Sequence, residues 1–287
     1  MNYRLITDAT ADMDMSQCSA DVLCMGVTID GEPFSYGPGG NITADEFYDK
    51  LRSGAKASTS QISPHEFVDR FKPILAGGED ILYLCFSSAL SGTYQSACIA
   101  AEELRERFPD RKIEVVDSLS ASIREGFLVR EACRRYDEGM ELDRLVKWIA
   151  ENNRNIDCQF TVDDLESLRA GGRISRSAAV LGGALQIKPM LGMNKEGALE
   201  LTGKVRGRKK SIEMLFMYYA DRHDETSRDI LIGHASAPDD AKALCDMIRS
   251  KFPKAKPVIC DIGPIIGVHT GAGMLSVCFY RDKEIKE

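Results

Sequence analysis

The stretch ILYLCFSSALSGTYQSACIAAEELRERF, residues 81–108, carries the pattern that decides the fold. Residues 81–86 form a short apolar run of the length and β-branched, aromatic character expected of a strand buried on both faces. Residues 87–93 are rich in small hydroxyl side chains, and from Ser91-Gly92-Thr93 onward the pattern becomes helical. A strand followed by a loop and a helix is the leading part of a parallel crossover unit. The same rhythm recurs on both sides, in YRLIT (3–7), VLCMGVTI (22–29) and KIEVVD (112–117). The first half of the chain is therefore expected to be α/β with a mainly parallel sheet.

Helix starts are well marked. Thr43 and Glu46 have capping-box spacing, and Ser63-Pro64-His65-Glu66 places a cap before a proline at the first helical position. Phe67, Phe71, Ile74 and Leu75 then recur at helical spacing and are expected in the core. A helix over 141–153, with Leu142, Leu145, Trp148 and Ile149 on one face, precedes the strand IDCQFTV (156–162). The boundary between two α/β domains is placed there, giving 1–157 and 158–287. In the second domain a helical DDLESLRAGGRIS segment (163–175) is followed by an antiparallel pair, QIKPMLGM (186–193) with ALELTGKV (198–205). A helix from about Lys209, DILIGHA (229–235), a helix after Pro238, PVICDIG (257–263) and GMLSVCFYR (273–281) complete it. That order predicts a mixed sheet.

With 287 residues and 44% hydrophobic side chains there is apolar material for two cores. A formal net charge of -7 argues against attraction of the whole molecule to nucleic acid or to an anionic membrane. No apolar run reaches membrane-spanning length and the first residues lack a signal-peptide core, so a cytoplasmic protein is expected. Nine cysteines without a C-x-x-C pair, several inside apolar runs (Cys85, Cys260, Cys278), suggest reduced, buried thiols and no zinc site.

In parallel sheets ligands gather beyond the carboxyl ends of the strands. Here those segments are Thr7-Asp8-Ala9-Thr10-Ala11-Asp12, Ser87 to Thr93, and Ser118. Singly, such hydroxyls serve as caps and turns. Together with Ser58-Thr59-Ser60-Gln61 before the Ser63 helix start, they put hydroxyls and free backbone N–H groups near helix N-termini, a setting that suits an anion. Residues 262–273 form a glycine-rich stretch carrying His269 and Thr270, expected as a loop; Arg173, in AGGR, is either a helix-end turn residue or an anion clamp. Asp8, Asp12 and Asp14 are read as caps and surface acids in preference to a metal site. Lys204, Arg206, Arg208, Lys209 and Lys210 make a basic cluster, either solvated or a docking patch. Walker A, G-x-S-x-G and G-x-G-x-x-G signatures are absent, which weakens nucleotide-hydrolase and dehydrogenase functions.

Taken in order, TDATAD (7–12), TSQIS (59–63), SSALSGTYQSA (87–97), VVDS (115–118), DDLESLRAGGRI (163–174), IKPML (187–191), KVRGRKK (204–210) and IGVHTGAG (266–273) resemble the DegV family of bacterial fatty-acid-binding proteins. The resemblance implies a DegV-like fold of the EDD type and a long-chain fatty acid as ligand, with no cofactor and no catalytic or metal residues of its own. It also implies that Thr59, Ser60, Ser91, Gly92 and Thr93 hold the carboxylate, with His269 beside Ser91 orienting it and Thr270 adjacent. In some members a separate kinase phosphorylates the bound acid. On that pattern the partners would be a fatty acid kinase catalytic subunit, an acyltransferase and transiently the membrane, in phospholipid metabolism, with Arg173 and Arg206 contacting the acyl phosphate or a partner. Ala9, Ile62 and Ala272 depart from the family's more common serine, proline and proline. Two alternatives compete: an acyl hydrolase with Ser91 as nucleophile and His269 as base, and a regulatory module that binds a partner through the basic cluster.

Overall fold

The computed structural model describes residues 2–14, 18–174 and 186–282. The chain runs β1 (Tyr3–Asp8), β2 (Asp21–Leu23), β3 (Met25–Ile29), β4 (Glu32–Tyr36), α1 (Ala44–Arg52), β5 (Ala57–Ser60), α2 (Pro64–Ala76), β6 (Asp80–Cys85), α3 (Thr93–Arg107), β7 (Ile113–Asp117), α4 (Ser122–Asp137) and α5 (Leu142–Asn152). It continues with β8 (Ile156–Thr161), α6 (Glu166–Ala170), β9 (Ile187–Met193), β10 (Leu199–Arg206), α7 (Arg208–Arg222), β11 (Asp229–His234), α8 (Pro238–Lys251), β12 (Lys256–Asp261), α9 (Pro264–Thr270) and β13 (Leu275–Tyr280).

The first sheet has the order β2-β1-β6-β7 and is parallel throughout, as its apolar runs predict. The second, β10-β9-β8-β13-β11-β12, is mixed: only β11 and β12 pair in parallel. A third sheet was not anticipated. VLCMGVTI divides at Cys24, so that β2 stays in the parallel sheet while β3 enters an antiparallel trio, β4-β3-β5. Asp30-Gly31, both left-handed (φ 49° and 88°), makes the two-residue turn that folds β4 back on β3. Thr59 and Ser60 consequently lie on β5, across from Val27 and Gly26, and not at a helix start.

The helix caps form as their spacing predicts: Thr43 and Ser63 each complete a capping box, on α1 and α2, and each such cap contributes about 1 kcal/mol. On α2, Phe67, Phe71 and Leu75 are buried while Ile74, also expected in the core, is half-buried; Phe67 is tilted and Phe71 edge-on against Tyr83 of β6. On α5, Leu142, Leu145 and Ile149 are buried, while Trp148 stays half-buried beneath the Arg135 guanidinium, 3.7 Å away. Helix α4 packs on β1 and also on β8, β11 and β13, so it stands between the two large sheets. One apolar core runs from β1 and β6 through α4 to β8, and a smaller one lies under α7 and α8.

The cysteine expectation needs correction. Cys18 and Cys133 are joined as a disulfide, their Cα atoms 5.9 Å apart. At 115 positions of separation, nothing in the spacing brings them together. Cys85, Cys260 and Cys278 are buried free thiols, as expected. No helix among the described residues is long and apolar enough to cross a membrane.

Candidate functional site

A cavity of about 390 Å³ opens where β5, the β6–α3 loop, the turn after α6, and α9 meet. Phe86, Leu90, Ile123, Phe160, Leu168 and Ile266 are among the side chains that make its wall apolar. The polar groups that reach it are few: the hydroxyls of Thr59, Ser60, Ser91, Ser122, Thr270 and Ser276, the Gln61 amide, the His269 ring and the Arg173 guanidinium. An apolar hollow with a small convergent polar set is the usual form of a small-molecule site.

Residues 264–270, expected as part of a loop, form a short helix. Pro264 opens α9 and Gly271, in left-handed backbone (φ 74°), closes it. The helix turns His269 toward β5, and His269 Nε2 lies 2.9 Å from Thr59 Oγ1. The expected pairing of His269 with Ser91 is not made. Ser91 Oγ lies 2.9 Å from Thr93 Oγ1 and accepts from the Thr93 backbone N–H at 3.2 Å. Thr93 is fully buried behind Ser91 and, like Gly92, does not line the cavity. Gly92 opens α3 with no side-chain cap, and a Cβ there would stand 2.1 Å from Gln61 Oε1, so the TSQ and LSGT segments are in contact.

Burial first, and the nearby Arg173 charge second, lower the His269 pKa to about 4. The ring is neutral at neutral pH and its Nε2 either donates to Thr59 or accepts from it. Arg173 donates from Nε to the Leu90 carbonyl at 3.1 Å and from Nη1 to the Gly171 carbonyl, so it ties the SSALSG loop to the AGGR turn. Thr270 donates to the Ile266 carbonyl at 3.2 Å, within its own helix. Arg206 is exposed at the end of β10 and is not among the lining residues. In the same basic cluster, Arg208 is bonded to Asp240 and Lys210 to Glu213. Among the described residues, no group of acids, histidines and cysteines is placed to hold a metal ion.

Two contributors escaped the sequence pattern. Gly171 packs against the imidazole so closely that a Cβ would lie 2.5 Å from His269 Nδ1. The apolar wall is assembled from both halves of the chain, and its members read in sequence as ordinary core. The DegV family model matches residues 2–282. The chain belongs to the DegV family. A DegV domain-containing protein of Clostridium perfringens is 41% identical over 284 residues, covering 98% of this chain and 98% of that one. Among solved structures, a DegV family protein from Thermus thermophilus described for its fatty acid binding superposes at a TM-score of 0.85 with 30% identity, over 98% of this chain and all of that one. A fatty-acid-binding DegV family protein from Streptococcus agalactiae gives 0.84 and 30%, over 99% of this chain and 100% of the other. In this DegV chain Thr59, Ser60 and Gln61 of TSQ and Leu90 and Ser91 of LSGT line one cavity, and HTG supplies the imidazole beside Thr59.

Proposed function

We propose that this DegV protein binds one long-chain fatty acid, its tail filling the apolar cavity and its carboxylate accepting from the hydroxyls of Thr59 and Ser91. The observation that carries this reading is the cavity itself, apolar along its walls and polar where Thr59, Ser91, His269 and Arg173 converge. A carboxylate removed from water needs donors, and hydroxyls supply them without a full countercharge. With its proton on Nε2, His269 donates to Thr59 Oγ1 and leaves the Thr59 hydroxyl proton for the carboxylate. The tail supplies most of the affinity: burial is worth about 0.8 kcal/mol per methylene, so about fifteen methylenes give roughly 12 kcal/mol before ordering costs. Residues 1–157 and 158–287 are taken as two α/β units that share the site.

The finer step is presentation of the bound acid to a separate kinase, with Arg173 beside the reacting carboxylate, in the cytoplasm. Its support is the position of Arg173 on the cavity wall together with the family pattern. The hydrolase alternative has no geometric support: His269 is bonded to Thr59, and Ser91 to Thr93. Native mass spectrometry of the purified protein, followed by denaturation and lipid identification, tests the binding reading. A stoichiometric added mass released as a free fatty acid is expected; a mass unchanged after incubation with a panel of fatty acids would overturn it.

A further inference from the structure

Helix α9 carries His269 and Thr270, yet it has no side-chain cap of its own, because its cap position is Gly263. The missing acceptor comes from the far end of the chain. Asp12 Oδ1 accepts from the Gly263 backbone N–H at 2.8 Å, and Asp12 Oδ2 accepts from Ser122 Oγ at 2.7 Å. Ser122 begins α4 in left-handed backbone (φ 57°) and lines the cavity. One carboxylate thus joins the loop after β1 to the first residues of two helices that face the cavity. Asp12 itself is only 4% exposed and does not line the cavity.

The contact is built closely on every side. A Cβ at Gly263 would lie 2.4 Å from the Tyr36 ring, and one at Gly126 would lie 2.7 Å from the Asp12 carbonyl oxygen. Tyr48 donates to the Ile262 carbonyl at 2.9 Å, holding the residue just before the cap. A buried carboxylate is costly without donors, and a backbone N–H at a helix start also brings the favourable end of the peptide dipoles. Removing it leaves Gly263 N–H unpaired in the interior and frees the start of a helix only seven residues long, of which His269 is the sixth.

We infer that Asp12 is a positioning residue of the binding site, acting as the helix cap of α9 from across the chain and thereby setting the reach of His269 to Thr59. This rests on the fatty-acid reading for its consequence in binding, but not for its structural content. The His269–Thr59 contact is held from both ends of α9: by Asp12 at the start, and by the fit of the imidazole against Gly171 at the finish. A fatty acid that bonds to Thr59 meets a hydroxyl whose direction depends on a carboxylate it never touches.

The test uses the full chain with Asp12→Ala and Asp12→Asn. Asparagine keeps an oxygen for Gly263 N–H, so it should bind a fluorescent long-chain fatty acid as the wild type does, while alanine weakens binding by about tenfold or more. The His269 ring is followed by NMR, assigned with His269→Gln. In Asp12→Ala its titration should rise from about 4 toward the ordinary value near 6.5, and in Asp12→Asn it should not. Weakened binding with an unmoved His269 titration, or wild-type binding in the alanine variant, overturns the inference. Should Asp12→Ala not fold, hydrogen exchange of the wild-type Gly263 amide decides: slow exchange supports the bond, and exchange at the rate of an open amide overturns it. If the wild type binds no fatty acid at all, the functional reading fails while the imidazole titration and the Gly263 exchange still judge the role of Asp12.

Discussion

Thr59 and His269 are separated by 210 positions and meet at 2.9 Å, an edge-strand hydroxyl against a helix-end imidazole. A neutral imidazole fixes the direction of a hydroxyl without placing a charge beside it. Thr59→Val keeps the shape and deletes the donor; it is expected to weaken fatty acid binding by about tenfold to a hundredfold, the loss of one hydrogen bond to a charged group. His269→Gln should cost less, since the hydroxyl survives. Because burial keeps the ring neutral until pH falls to about 4, wild-type affinity should be flat from about pH 5.5 to 8. Titration of a fluorescent fatty acid across that range checks both; a break in affinity near pH 6.5 that His269→Gln abolishes would show the ring to be charged in use.

Gly171 offers a way to move His269 without deleting it. Its backbone (φ -72°) admits any residue, but an added Cβ would stand 2.5 Å from Nδ1. Gly171→Ala should therefore displace the ring from Thr59 and weaken binding while leaving the urea midpoint close to that of the wild type. A variant that binds normally, or one that binds poorly only because it has unfolded, would count against the packing described.

Two buried groups give opposite slopes to stability against pH. His269 titrates near 4 in the fold and near 6.5 when unfolded, so between those values the unfolded chain holds the extra proton and stability falls as pH drops. Asp12 is raised by burial to about 7 from 3.8, so between those values the folded chain holds the extra proton and that contribution fades as pH rises. Unfolding free energies measured from pH 4 to 8 should show His269→Gln gaining on the wild type toward pH 4. Asp12→Asn should gain on it toward pH 7 and above. Parallel curves for all three proteins would contradict both assignments.

What was legible in the sequence follows from which forces are local. The strand at 81–85, the caps at Thr43 and Ser63 and the stripe on α2 depend on neighbours a few residues away, and all three form. The antiparallel trio was hidden because VLCMGVTI reads as one strand, whereas it divides at Cys24 into β2 and β3. The His269 helix was hidden by four glycines in twelve residues, where the cap arrives from Asp12, 251 positions away. Of the acids read as caps and surface groups, Asp8 and Asp12 are instead buried, and nothing local says that Asp12 reaches the start of a distant helix. The Cys18–Cys133 bond was hidden for the same reason.

Tyr83 separates stability from binding. It is fully buried and donates to Asp8 Oδ2 at 2.6 Å, while Asp8 also accepts from the N–H groups of Thr10 and Phe86 at 3.1 and 3.3 Å. Tyr83→Phe keeps the packing against Phe67 and Phe71 and removes one donor from a buried acid. A loss of about 1–3 kcal/mol of stability is expected in urea unfolding. Fatty acid affinity should stay within about twofold, because neither residue lines the cavity.

Arg173 is the group on which binding and presentation should part. Its guanidinium donates in two directions at once, to Leu90 and to Gly171, and so joins the loop that carries Ser91 to the turn that packs on His269. A lysine ammonium has the charge but not the planar fork, and it cannot hold both carbonyls in the same geometry. Arg173→Lys is expected to lower fatty acid affinity by only a few-fold, since the tail supplies most of the free energy. On the presenting step proposed above, acyl phosphate formation with a fatty acid kinase is expected to fall further, because a transfer to the carboxylate would need it and its neighbouring charge in register. Equal losses in binding and in phosphorylation would make Arg173 a structural tie alone. Unchanged phosphorylation with weakened binding would remove it from the presenting step.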